Sequence, residues 1–126
     1  MSAPAADPRR SLGRWGERLA ERRLQRQGYQ ILARNWRCAR GEIDLVARLG
    51  DQLVFIEVKT RRGRAMGAPE EGLTMRKARR LQELAEAYLL EGELDLDWRI
   101  DLIAIELDMA YKLIRYEHIP HAVLGW

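Results

Sequence analysis

Acidic side chains and one lysine interrupt two apolar stretches within residues 41–60 of the sequence. Glu42 and Asp44 lie in the first stretch, and Glu57 and Lys59 lie in the second. Successive side chains of a β-strand point to opposite faces, and both faces of the second stretch are otherwise apolar, which predicts a central strand. A charge buried there costs several kcal/mol unless another group compensates it. These residues therefore predict a site in which nearby groups of opposite charge compensate the buried charges.

The two stretches are predicted to pair as a β-hairpin through a turn at residues 49–51. Asp44 then lies beside Glu57, and Glu42 shares the face of Asp44. Two carboxylates in a half-buried site repel each other unless a proton, a cation or a metal ion lies between them. We therefore expect Asp44 and Glu57 to hold a divalent metal ion. The alternative is a structural ion pair between Glu57 and Lys59.

The spacing of these residues resembles a nuclease signature. Asp44 is followed after 13 residues by the tripeptide Glu-Val-Lys at residues 57–59. This pattern resembles the active-site signature of the PD-(D/E)xK, or restriction-endonuclease-like, nuclease superfamily. The sequence departs from that signature before Asp44, where it has Ile43 instead of proline.

Longer segments of the chain resemble the YraN-type family of small bacterial proteins of unassigned function. These segments are GRWGE at residues 13–17, GEIDLVA at 41–47, VFIEVKTR at 54–61 and RIDLIA at 99–104. The resemblance extends over residues 11–119. It implies a nuclease-like fold and leaves the activity of the family open.

The nuclease resemblance implies a metal-dependent phosphodiesterase that cuts DNA, including branched or otherwise structured DNA. Asp44 and Glu57 would bind Mg²⁺ or Mn²⁺, with the main-chain carbonyl of Val58 as a third oxygen ligand. Lys59 would orient the attacking water or stabilise the transition state. Glu17 would complete the site as a ligand through water or as a base. Glu42 is a further, weaker candidate.

Arginine is unevenly distributed along the chain. Residues 1–40 contain ten arginines and three acidic residues, a net charge of +7, whereas the remainder carries −4. Such asymmetry indicates a surface for a polyanion. The resemblance to the nuclease superfamily implies DNA, in preference to RNA, as this partner. A homodimer is one arrangement that would span a duplex. The predicted nucleic-acid contacts are Arg18, Arg22, Arg61, Arg62, Arg76, Lys77, Arg79 and Arg80. The alternative for each is an ordinary solvated side chain.

Periodicity and capping residues predict the order helix, three strands, helix, two strands. A hairpin followed by a helical crossover implies an α/β fold in three layers, with a central mixed β-sheet flanked by helices, restriction-endonuclease-like. Gly28 is expected to end the first helix, and Thr74 and Gly92 to bound the second. The predicted helices are residues 11–27 and 74–91, and the predicted strands are residues 29–37, 41–49, 52–60, 98–107 and 112–119.

Residues 1–10 are predicted to be a disordered leader, and residues 11–126 a single domain. The sequence has no apolar run long enough for a membrane span and no signal sequence, which predicts a cytoplasmic protein. Residues 61–72 form a loop that is either a flexible basic flap over the site or a solvated linker. Asp101 is expected to pair with Arg99 or Arg115, and His118 and His121 to be structural.

These observations leave two other classes of function open. A non-catalytic nucleic-acid-binding domain would keep the carboxylates for structure only. A protein-interaction scaffold would show no salt-dependent affinity for DNA.

Overall fold

The computed structural model describes the backbone of residues 8–123 and the side chains of residues 10–123. In this part of the chain five strands form one sheet, in the order in which they occur. Neighbouring strands are antiparallel except for the central pair, β3 and β4, which is parallel. The strands are β1 (Gln30–Cys38), β2 (Gly41–Leu49), β3 (Gln52–Arg62), β4 (Asp97–Leu107) and β5 (Leu113–Ile119). The predicted element order and the central position of β3 are confirmed.

The two helices are α1 (Pro8–Arg26) and α2 (Met75–Glu91). The Thr74 side chain accepts a hydrogen bond from the Lys77 N–H at 3.3 Å, and Gly92 follows the last turn, so both predicted ends of α2 are confirmed. Gly28 has a φ of 93°, which a glycine adopts without strain, and follows the end of α1.

The first helix begins earlier than predicted. Helix α1 starts at Pro8, so residues 8–10 are helical and do not belong to a disordered leader. Proline suits a first helical turn because its missing N–H would have no partner there. Residues 1–7 of the predicted leader lie outside the described residues. Within residues 8–123, neither helix has the length and hydropathy of a transmembrane span.

Two apolar clusters occupy opposite faces of the sheet, which confirms the three-layer α/β architecture. The cluster on the α2 face contains Ile43, Val46, Leu53, Phe55, Ala78, Leu81, Leu84, Ala85, Ile100 and Val123. The cluster on the α1 face contains Ala20, Leu24, Leu45, Ala47, Val54, Ile56, Val58, Ile103 and Ile105. Each fully buried large side chain stabilises the fold by about 1.5–3 kcal/mol. Both faces of β3 are covered, as its sequence predicted.

Helix α1 crosses the sheet unusually closely at Gly16. A Cβ atom at that position would lie 1.9 Å from Oγ1 of Thr60 on β3, far inside van der Waals contact. Only glycine therefore permits this approach without displacement of the helix or of Thr60. The close contact fixes the height of the next residue, Glu17, above the sheet.

The loop after β3 is anchored to the sheet. Arg64 donates hydrogen bonds to Glu106, a buried carboxylate on β4. Arg115 on β5 also binds Glu106, and it pairs with Glu70 of the short 3-10 helix Pro69–Gly72 at 2.6 Å. These ion pairs hold the segment against β4 and β5, so it is not the free basic flap considered above.

Asp101 lies at the centre of a buried polar cluster and is fully inaccessible to solvent. It accepts hydrogen bonds from Nε of Arg99 at 3.0 Å and from the His121 N–H at 3.0 Å, and Nε2 of His118 lies 2.7 Å away. The expected pair with Arg99 is confirmed, whereas Arg115 binds elsewhere. His118 contacts Asp101 through its ring, whereas His121 contacts it through its main-chain N–H.

Candidate functional site

Strands β2 and β3 separate at the position of Asp44. Their regular pairing ends at Leu45 and Ile56. The next N–H group of β3 that faces β2, at Val58, donates to Oδ2 of Asp44 at 2.8 Å. The Asp44 side chain thus takes the place of a main-chain carbonyl of β2. A gap lined by a carboxyl group opens where the sheet would otherwise continue.

Asp44 and Glu57 meet in this gap. Burial raises the pKa of Asp44 to about 9, and a hydrogen bond with Glu57 and its negative charge act in the same direction. The hydrogen bond from the Val58 N–H opposes these effects. The pair of carboxyl groups therefore retains a proton to higher pH than a free carboxyl group does, which satisfies the need for a positive charge between them. The predicted convergence of these two residues is confirmed.

Two further acidic side chains lie beside this pair and are joined by an amide. Nδ2 of Asn35 donates to Oε1 of Glu17 and to Oε1 of Glu42, both at 2.8 Å. Partial burial raises the pKa of Glu17, the hydrogen bond from Asn35 lowers it, and the charges of Asp44 and Glu42 raise it. Helix α1 therefore brings Glu17 to the carboxyl cluster, as predicted.

Asn35 was not among the residues predicted for the site. An asparagine within a strand is typical of a turn or bulge, so its residue type alone does not indicate a role in a carboxyl cluster. The signal that identifies it is the strand register: Arg34 pairs with Leu45 and Trp36 with Ile43, which places Asn35 opposite Asp44. It lies in a polar cavity of about 390 Å³, which is lined by Arg10, Gly13, Arg14, Glu17, Asn35, Arg37 and Glu42.

Cationic groups gather on the other side of the carboxyl pair. Glu57 and Lys59 alternate with Phe55, so all three point to the α2 face. The charge of Lys59, together with burial, lowers the pKa of Lys77 in the first turn of α2. A Cβ atom on Gly72 would lie 3.8 Å from Cε of Lys59. The structure thus brings two ammonium groups together next to Glu57.

A model of the UPF0102 family, described as an uncharacterised protein family, matches residues 16–105. The chain belongs to the UPF0102 family. The resemblance to the YraN-type family is thereby confirmed. A UPF0102 protein of Roseiflexus castenholzii is 50% identical over 117 residues, which cover 91% of this chain and 94% of the relative. One from Chloroflexus aurantiacus is 47% identical over 118 residues, which cover 92% of this chain and 95% of the relative.

A third UPF0102 protein, from Herpetosiphon aurantiacus, is 50% identical over 109 residues. These residues cover 81% of this chain and 86% of the relative. The family match includes every carboxylate of the site, from Glu17 to Glu57, together with Lys59 and Lys77. The cluster therefore lies wholly within the part of the chain that defines the family.

The oxygen atoms in the gap of this UPF0102 protein suit a hard divalent ion. In a strand the N–H and C=O groups of one residue point the same way, so the Val58 carbonyl faces the gap with its N–H. Asp44 and Glu57 add carboxylate oxygens, which Mg²⁺ and Mn²⁺ favour. Among the side chains of residues 10–123, no group of three or more His, Cys, Asp or Glu is arranged to hold a metal ion. The carboxyl pair would need main-chain oxygen and water to complete a coordination sphere.

The predicted nucleic-acid contacts of the UPF0102 chain fall into four sets. Exposed arginines of α2 line a surface cavity of about 460 Å³. Its lining residues are Met75, Arg76, Arg79, Arg80 and Glu83. Arg18 and Arg22 are exposed on α1, which packs on the face of the sheet opposite to α2 and its cavity. Lys77 belongs to neither surface, because it faces Lys59.

Two of the predicted contacts are engaged within the UPF0102 chain itself. Nη1 of Arg61 donates to the main-chain oxygen of Met66 at 2.9 Å. Nε of Arg62 donates to the main-chain oxygen of Met109 at 3.0 Å, and its guanidinium lies 4.1 Å from the centre of the Tyr111 ring. Arg61 thus binds the loop after β3 and Arg62 binds the turn between β4 and β5, so their use for a phosphate would require them to exchange partners.

Proposed function

We propose that this UPF0102 protein is a Mg²⁺- or Mn²⁺-dependent endonuclease of the restriction-endonuclease-like type, acting on DNA. The observation that supports this most directly is the meeting of Asp44 and Glu57 in a gap between strands, with Lys59 on the strand that carries Glu57. Burying two carboxyl groups side by side costs stability, and a binding function gives a reason for that cost.

The side chains of the cluster suggest distinct roles in phosphodiester hydrolysis. Asp44, Glu57 and the Val58 carbonyl would hold the metal ion. When bound, the ion would polarise the phosphate and lower the pKa of a coordinated water. The ammonium of Lys59 would orient the attacking water or stabilise negative charge on the phosphate. Glu17, whose pKa is raised, would accept a proton from that water or contact the ion through water.

The exposed arginines supply positive charge for the substrate backbone on both helix layers, which lie on opposite faces of the sheet. Arg76, Arg79 and Arg80 lie in the first two turns of α2, where positive charge opposes the helix dipole and a bound phosphate would offset it. Arg18 and Arg22 extend positive charge along α1. A homodimer would present one site to each strand of a duplex.

Cleavage assays test the proposal directly. Supercoiled, linear and branched DNA would be incubated with the protein and Mn²⁺. We expect cutting that disappears in Asp44→Ala, Glu57→Ala and Lys59→Ala. The matched control is Glu86→Ala, which removes an exposed acid of α2 and should cut as wild type does.

Three outcomes would overturn the proposal. Salt-dependent binding of DNA without cutting would indicate a non-catalytic nucleic-acid-binding domain. Neither cutting nor salt-dependent binding would indicate a protein-interaction scaffold. Cutting that survives in all three variants would move the activity away from this cluster.

Metal binding can be measured without a substrate. A ligand that binds only the folded state raises the melting temperature, and at 100 times its Kd it adds about 2.7 kcal/mol to the stability. We expect Mn²⁺ to raise the Tm of the wild type and to leave that of Glu57→Gln unchanged. A pure ion pair between Glu57 and Lys59 predicts no response to Mn²⁺ in either protein.

A further inference from the structure

Asn35 is the residue of the cluster whose side chain contacts two carboxylates at once. Its amide nitrogen has two hydrogens, and the structure assigns it two carboxylate acceptors, Glu17 on α1 and Glu42 on β2, each at 2.8 Å. Both acceptors are oxygens, so the nitrogen of the amide must face them. One side chain that lines the polar cavity thus connects the helix layer to the sheet.

The backbone at Asn35 is held in an unusual conformation for this purpose. Its φ is 48°, in the left-handed region, although the residue lies in the middle of β1. Asparagine tolerates this region better than most residues, and it still costs energy within a strand. Side chains on either side of this point, Ala33 and Trp36, both pack on the α2 face, so the strand changes its alternation here. The distortion turns the amide of Asn35 toward Glu17.

We infer that Asn35 is a positioning residue that holds Glu17 and Glu42 in register beside Asp44. The inference rests on the proposed nuclease function for its catalytic consequence, because Glu17 is the residue that would act on the water. The contact itself is a property of the fold and can be measured without DNA or metal.

The charges around Asn35 explain why a neutral donor is needed. The negative charge of Glu42 raises the pKa of Glu17 and that of Asp44, so Glu17 and Glu42 repel each other. The second oxygen of Glu42 binds Nε of Arg37 at 2.9 Å, so its orientation is fixed from both sides. Without the amide, repulsion would drive Glu17 away from the sheet and from Asp44.

Substitution by glycine or by aspartate separates the left-handed backbone of Asn35 from the hydrogen-bond donor of its amide. Asn35→Gly keeps the left-handed backbone without strain and removes only the amide. Asn35→Asp keeps the shape and replaces the donor by a third carboxylate. A residue needed only for the turn is replaced without loss by glycine. A residue needed for its amide fails in both variants, and more severely in aspartate.

Two measurements test the inference. In metal-free buffer, double-mutant cycles between Asn35→Gly and either Glu17→Gln or Glu42→Gln should show a coupling of about tenfold in the unfolding equilibrium constant. In DNA cleavage, Asn35→Gly should lower kcat about 100-fold with KM unchanged, because Asn35 acts through Glu17 and does not touch the substrate.

The outcomes are distinguishable. Additive effects in both cycles, or full kcat in Asn35→Gly, would overturn the positioning role. A wild-type protein that cuts no DNA would overturn the proposed function, and the double-mutant cycles would still decide whether Asn35 holds the two carboxylates. A rise in KM without a change in kcat would make Asn35 a substrate contact and would contradict the inference.

Discussion

Asp44→Asn separates the energetic cost of burying the Asp44 carboxyl group from its proposed role as a metal ligand. Asparagine has the same shape as the protonated acid. Its Oδ1 can accept the hydrogen bond that the Val58 N–H now donates to Asp44, and its amide can donate to Glu57. The variant therefore reproduces the protonated form of the site permanently and cannot become a second carboxylate.

The pKa of Asp44 sets the size of the effect. It is about 9 in the folded protein, against an ordinary value of 3.8 for the free side chain. Between these values the folded state holds a proton that the unfolded chain has released, so the stability of the wild type falls as pH rises. The slope is at most about 1.4 kcal/mol per pH unit. From pH 5 to pH 7 the stability of Asp44→Asn relative to wild type should therefore grow by at most about 3 kcal/mol.

Urea denaturation at pH 5, 6, 7 and 8 with a chelator present would measure this difference. Asp51→Asn is the control, since Asp51 is a fully exposed acid in the turn between β2 and β3. Its stability relative to wild type should not change with pH. Adding Mn²⁺ should then stabilise the wild type, more strongly at higher pH, and leave Asp44→Asn unaffected. The reasoning fails if Asp44→Asn is less stable than wild type at pH 7, or if the difference does not widen with pH.

Three further predictions concern the surroundings of the site. Gly16→Ala should lower stability by about 1–3 kcal/mol by overpacking against Thr60, and Thr60→Ala should restore part of the loss; strictly additive changes in Tm would contradict this. Hydrogen bonds from two arginines lower the pKa of Glu106, so the wild type loses stability as pH falls through that lowered pKa. Glu106→Gln should be about 1.5–3 kcal/mol less stable than the wild type at pH 7. Its stability should also depend less on pH in acid denaturation. Arg79→Gln and Arg80→Gln should each reduce the slope of log affinity for duplex DNA against log salt by about 0.9, and an unchanged slope would exclude them as phosphate contacts.

The elements that the sequence predicted well have local signals. Thr74 and Gly92 are strong boundary residues, and both ends of α2 follow from them. The turn at Gly50 fixes the register between β2 and β3, so the meeting of Asp44 and Glu57 followed from alternation alone. Their pairing needed no knowledge of the rest of the molecule.

The features that were missed depend on distant partners. Arg64 and Glu106 are 42 residues apart and Glu70 and Arg115 are 45 apart, so the anchoring of the loop after β3 has no signature in its own composition. Asn35 interrupts a weakly alternating strand, and one polar residue within such a strand is typical of a bulge. Its role depends on the height of α1, which Gly16 sets through a contact with another element.

The carboxyl cluster and the lysines beside it include residues from both faces of the sheet. Glu17 belongs to α1 on one face, and Lys77 to α2 on the other; Asp44 and Glu57 lie where β2 and β3 part between them. An ion or phosphate held by this cluster would link the two outer layers directly, in addition to their separate packing on the strands. Occupancy of the site should therefore couple local opening of α1 to that of α2, so that amide hydrogen exchange slows in both helices together.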